Sequence, residues 1–168
     1  MEISTSEPNI ENAKNLAKKI LSEVGLKTPP ILLRKIVAHL KPIYNLEIYA
    51  REDFGEFLSG IRVTEGELST IGYNQKHSIH RKRFTVAHEI GHVVMSHPNI
   101  TTFTNLESND PFETEANQFA AELLMPFVML KNDIKNGIKN PRLLADRYNV
   151  SEEAMWWRIL ECKLLNKI

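Results

Sequence analysis

RKRFTVAHEIGHVVMSH, running from Arg81 to His97, places His88, Glu89 and His92 as H-E-x-x-H inside an otherwise apolar run. On a helical wheel turning about 100° per residue, Phe84, Ala87, Gly91, Val94 and Met95 fall on one apolar arc, with His88 and His92 side by side at its margin. The run therefore predicts a helix that buries one face and turns two imidazoles toward the edge of a cleft. Residues four apart on a helix project in parallel. Two such rings can meet one cation at the Zn–N distance of about 2.0–2.1 Å, leaving positions for a third ligand and water. Glu89 lies about a quarter-turn round, suited to take a proton from that water rather than to bind the cation. The same residues also fit two hydrogen-bonded histidines at a core edge beside a solvated acid, because so short a pattern recurs by accident.

A third ligand separates these two possibilities. The acids downstream are Glu107, Asp110, Glu113, Glu115 and Glu122, and Pro111 to Met125 has the pattern of a helix that chooses among them. Phe112, Ala116, Phe119, Ala120, Leu123 and Leu124 span its inward arc, and Glu113 falls inside that arc. Glu115 sits near the edge and Glu122 beyond it, so neither is expected to matter to a cation. An unpaired Glu113 would be a buried carboxylate, which is costly unless a cation or a donor satisfies it; its alternative role is a first-turn acid favoured by the helix dipole. Asn117, one turn further on, is placed to hydrogen-bond to the carboxylate or to a histidine's second nitrogen, as metal ligands require. His77, His80 and His97 flank the motif without ligand spacing and are expected at the surface or just behind the ligands.

Outward from this helix, the pattern predicts an α+β fold. Ile10 to Val24 has helical spacing and ends at Gly25; Ile31 to Leu40, after Thr28-Pro29-Pro30, predicts a second helix closed by Pro42. Tyr44 to Tyr49, Glu56 to Val63 and Leu68 to Asn74 are β-branched or aromatic and are broken by Gly55 and Glu65-Gly66, which predicts a small meander, antiparallel or mixed. Helical patterns then continue to the end, past a loop around Asn99 to Asp110 and a stop at Met125-Pro126. No repeat or linker divides the chain, so residues 1–168 are expected to form one domain with a helical C-terminal part from about residue 127.

Composition narrows the function. At 168 residues the chain can bury a sizeable core without staples. Lys+Arg and Asp+Glu both number 21, so no whole-molecule field favours nucleic acid or an anionic membrane. The single cysteine, Cys162, forms no internal disulfide, and MEISTSEPNI has neither a basic nor an apolar leader region, which together point to the cytoplasm. No apolar stretch reaches the roughly 20 residues that span a bilayer.

Three segments together resemble the ImmA/IrrE-type metallopeptidases of bacteria and their mobile elements. RKRFTVAHEIGHVVMSH resembles the family's R-x-R-F-T-x-A-H-E-x-G-H signature, ETEANQFAAELLMP its E-x-x-A-N-x-F-A-A-x-L-L-M-P segment, and LADRYNVSEEAMWWRI its trailing L-A-x-x-F-x-V-S-x-x-A-M-x-x-R-L stretch. The resemblance implies a zincin-like fold, with His88, His92 and Glu113 as metal ligands and Glu89 as catalytic base. It also implies one Zn2+ per chain and a regulatory protein substrate, typically a helix-turn-helix repressor. Two neutral imidazoles and one carboxylate would leave a divalent ion net positive, able to bring the pKa of water toward ~7; an N/O set of this kind also accepts ions such as Mn2+.

The segment Ile71-Gly72-Tyr73-Asn74 resembles the edge strand along which such enzymes lay an extended substrate, which would bring Tyr73 and Asn74 to the groove. A plain sheet strand fits it equally well. LLADRYNVSEEAMWWRI also has the look of a helix-turn-helix, with Leu143, Leu144 and Ala145 packing on Ala154, Trp157 and Ile159. The second helix would begin with Glu152 and Glu153, which DNA repels, so packing is the expected role and direct nucleic-acid binding is not. Trp156 and Trp157 fit either a core or an anchor for a protein partner. An enzyme is thus expected, set against a silent metal-containing sensor or an antitoxin-like regulator that acts by contact.

Overall fold

The computed structural model describes residues 7–99 and 110–168; Glu107 and most of the expected Asn99 to Asp110 loop lie outside them. The chain opens with α1 (Ile10–Val24), which carries Asn9 as N-cap and Gly25 in the left-handed conformation at its end, as the periodicity predicts. Next comes α2 (Leu33–Tyr44), which starts later than expected and runs through Pro42. Proline forfeits one bond to the carbonyl a turn earlier, but so near the end the loss is small. Asn45, with φ 44°, closes the helix by donating its N–H to the Lys41 carbonyl.

Three strands follow, β1 (Leu46–Arg51), β2 (Gly60–Glu65) and β3 (Leu68–Asn74). They do not form a meander. The order is β1-β3-β2, with β3 parallel to β1 and antiparallel to β2. Gly66, at φ 58°, makes the tight β2–β3 turn. The residues after β1 then fold away, because Asn74 Nδ2 donates to the carbonyls of Gly55 and Leu58 and pins that connection at the end of β3.

The helices α3 (Ile79–Val94) and α4 (Pro111–Leu124) pack on each other; α3 also crosses β3 and β2, and α4 also packs on α1. One contiguous cluster of buried apolar side chains runs from Ala13 to Leu164 and joins these layers to α5 (Phe127–Lys135), α6 (Pro141–Tyr148) and α7 (Glu152–Glu161). The architecture is α+β. Among the described residues no helix is long and apolar enough to cross a membrane.

Two expectations are corrected, one for the C-terminal part and one for α4. Leu144, Ala145, Met155 and Ile159 hold α6 against α7, but Trp157 is 68% exposed and takes no part, since Met155 and Ile159 already define the inward face. Glu122, placed by the wheel beyond the inward arc of α4, is buried. It is drawn in by Arg158 of α7, whose guanidinium pairs with Glu122 and also donates to the Met125 carbonyl and to Glu161. Burial alone would lower the Arg158 pKa, yet Glu122 and its neighbours outweigh burial and raise it.

Candidate metal centre

Ser78 starts α3 by accepting the Arg81 N–H on its hydroxyl. The wheel predicts one buried arc, whereas every residue from Thr85 to Val93 is buried. The sheet covers one side of the helix and α4 the other. His88 is 1% exposed, and Glu89 and His92 are buried with it. Asp110 caps α4 through its side chain, with Pro111 in the first turn, and this sets Glu113 in that turn facing α3.

These two helices bring three side chains to one point. His88 Nε2 and His92 Nε2 are 3.0 Å apart, and each lies 3.2 Å from a Glu113 oxygen. One ligand atom from each of the three residues falls within 4.8 Å of the others. Behind them, His88 Nδ1 is 2.8 Å from Asn117 Oδ1, and His92 Nδ1 is 2.8 Å from His97 Nδ1. A carboxamide oxygen only accepts, so His88 donates from Nδ1 and keeps its lone pair on Nε2. Neutral imidazole lone pairs and a carboxylate aimed at one point repel until a cation shares them. The donor set therefore fits a divalent ion, with the second nitrogens oriented as ligand histidines need.

The electrostatics agree. Burial pushes the His92 pKa down, helped by His88 and His97 and only partly offset by Glu113, so the neutral ring is favoured. Burial acts to raise Glu113, but where the rings of His88 and His92 carry a proton at Nε2 in the metal-free site, their hydrogen bonds and charge outweigh that and hold the carboxyl well below the usual range. Neutral imidazoles and an ionised carboxylate are the forms that bind metal.

The sequence profile of the peptidase family M78, described as the IrrE N-terminal-like domain, matches residues 46–159, from the start of the sheet through the core of α7. The chain belongs to this family. It is thus a metallopeptidase-type domain, and the family was legible in the three sequence segments. Among solved structures, a Mycobacterium tuberculosis transcriptional regulator is similar at TM-score 0.69 and 15% identity, over 89% of this chain and 46% of that one. That likeness shows the fold, and the chain spans about half of the protein it matches. No curated protein matches the chain.

Around the centre of this peptidase-type domain, other residues fall where the sequence did not place them. Its β3 is central, with both edges already paired, so Ile71 to Asn74 offers no free edge to a peptide. Tyr73 is half-buried against the core. Asn74 is fully buried, with its amide committed to Gly55 and Leu58. His77 donates from Nε2 to the Glu56 carbonyl, 2.9 Å away, and His80 is half-buried without a place in the cluster. Among the described residues, the unpaired sheet edge nearest the site belongs to β2. There Gly60 lies so close to α3 that a Cβ on it would sit 2.5 Å from Thr85 Cγ2 and 3.5 Å from Glu89 Oε1.

Arg62, also on β2, went unnoticed in the sequence because nothing local marks it. Its guanidinium donates to the Pro98 carbonyl, Asn99 Oδ1 and Thr64 Oγ1. Burial lowers its pKa, while Glu89 and Glu113 raise it, which places a positive charge within reach of both acids.

Proposed function

We infer that the chain is a zinc-dependent endopeptidase that cuts a specific regulatory protein inside the cell, of the helix-turn-helix repressor class. The observation that carries this reading is the meeting of His88 and His92 of α3 with Glu113 of α4, with Glu89 buried on α3 beside the two histidines. The regulatory substrate is supported by the family resemblance and by a solved structural neighbour that is itself a transcriptional regulator. The absence of disulfide partners for Cys162 suits a reducing cytoplasm. We take residues 1–168 to work as one zincin-like unit whose metal is zinc, with another divalent ion able to occupy the same N/O set.

When bound, the ion supplies a Lewis acid that acidifies water and polarises the scissile carbonyl. His88, His92 and Glu113 hold it, and Asn117 fixes the ring of His88. Glu89 accepts the proton released by the attacking water and returns it to the leaving amine as the C–N bond breaks. The substrate lies extended along β2, whose outward backbone groups at Gly60 and Arg62 have no backbone partner among the described residues and can pair with it by main-chain hydrogen bonds. Ser59, one residue earlier in the alternation, already accepts from Asn74 on the opposite side. At the far end, Asn99 spans both the N–H and the carbonyl of Thr64, so pairing along this edge stops there.

The test is to co-express the wild type or Glu89→Gln with the adjacent helix-turn-helix regulator, if one is encoded there, and to follow the regulator's intact mass and promoter output. We expect the wild type to clip the regulator, and Glu89→Gln to bind it with turnover down at least ~10²-fold. Equal relief of repression by both proteins, with the regulator left whole, would show that the protein acts by contact alone.

A further inference from the structure

A chain of hydrogen bonds runs away from the proposed metal site and is not explained by ligation. His92 Nδ1 lies 2.8 Å from His97 Nδ1, His97 Nε2 lies 2.8 Å from Glu115 Oε2, and Glu115 Oε1 accepts the N–H of Asn9, the N-cap of α1. His97 is buried, with its ring 4.8 Å from that of Phe112.

The turn that ends α3 builds this arrangement. Ser96 takes the left-handed conformation at φ 54°, its N–H donates to the Val93 carbonyl, and the His97 N–H reaches back to the His92 carbonyl. This is the Schellman pattern, in which the second residue past the helix is folded against the third-last residue of its final turn. Usually that contact is apolar. Here the two residues are His97 and His92.

We propose that His97 and Glu115 are positioning residues that fix the tautomer and the ring orientation of His92 for metal binding. The proton order follows from the acceptor at the end of the chain. An ionised Glu115 carboxylate only accepts, so His97 donates from Nε2, and a neutral His97 therefore carries its lone pair on Nδ1. That lone pair accepts the Nδ1 proton of His92. The lone pair of His92 is thereby left on Nε2, the atom that faces His88 and Glu113. Asn117 does for His88 in one bond what His97 and Glu115 do for His92 in two. Glu115, which the helical wheel set aside as an edge residue, thus influences the metal without touching it. The inference rests on the metal site proposed above and adds residues that act through a ligand.

The experiment measures zinc affinity by chelator competition and the visible spectrum of the cobalt(II)-loaded protein, alongside thermal unfolding of the metal-free form. His97→Leu keeps a bulky apolar side chain against Phe112 but removes the acceptor, and we expect zinc affinity to fall about 10- to 100-fold with a shifted cobalt spectrum. His97→Gln retains a carbonyl acceptor and should recover most of the affinity; Glu115→Gln should fall between it and His97→Leu. Wild-type affinity and spectrum in His97→Leu would overturn the proposal while leaving the metal site standing. So would an equal loss in His97→Leu and His97→Gln that tracks their metal-free melting temperatures, since that is the mark of a packing role. If the wild type binds neither ion, the metal site itself fails.

Discussion

Single residues at the centre are held by backbone conformations that tolerate few side chains. Ser96 is exposed, so a substitution there acts through φ rather than through packing. Ser96→Val puts a β-branched residue in the left-handed region and should destabilise the protein by about 1–2 kcal/mol. It should also weaken zinc binding by displacing His97, whereas Ser96→Gly should preserve both; thermal melts and chelator competition read the two effects. Gly60→Ala drives a Cβ into Thr85 Cγ2 and should cost about 1–3 kcal/mol in urea unfolding. Adding Thr85→Ser, which removes that methyl, should restore most of the loss, and no recovery would mean that the close approach of β2 to α3 is not what restricts this position. Sequence periodicity made His88, His92, Glu113 and Asn117 legible because all four project from helices at regular spacing. His97 is expected at the surface or just behind the ligands and lies behind His92, but its link to Glu115 was not legible, because it is made through a turn whose usual marker, glycine, is replaced by Ser96.

At the scale of elements, α1, α4 and α7 are tied together by charge as well as by apolar packing. Arg158 is buried against Glu122, and Glu161 links it to Lys14 at 2.8 Å. Arg158→Leu leaves the Glu122 carboxylate buried without its cation and should destabilise the protein by about 3–5 kcal/mol; Arg158→Leu with Glu122→Leu should recover much of that in chemical denaturation. The wheel could not foresee this pair, since it places Glu122 by the α4 pattern alone and the partner lies 36 residues away. The sheet order escaped the sequence for a similar reason. Alternation identifies strands and the Gly66 turn identifies one hairpin, but whether β1 joins beside β2 or β3 depends on the clamp of Asn74 on the connecting segment. The helices α1 and α4, each with a strong apolar face and a side-chain cap, were legible almost to the residue.

For the whole molecule, metal binding at the proposed centre should be coupled to folding, because its ligands would come from α3 and α4, separate parts of the chain that only the folded state brings together. Zinc at about a thousand times its Kd should stabilise the native state by roughly 4 kcal/mol, so a chelator should lower the melting temperature of the wild type and leave that of His88→Ala unchanged. Acid should release the ion, because as pH falls below the ordinary imidazole range His92 takes up a proton first and Glu113, held below the usual carboxylate range, only afterwards. The central claim is that His88, His92 and Glu113 hold one divalent ion while Glu89 stands beside it without binding it. Native mass spectrometry of the metal-free protein titrated with zinc tests this most directly. One equivalent should bind to the wild type and to Glu89→Gln, and binding should be lost in His88→Ala and His92→Ala and greatly weakened in Glu113→Gln. Full retention of zinc in His88→Ala and Glu113→Gln, or its loss in Glu89→Gln, would contradict the account.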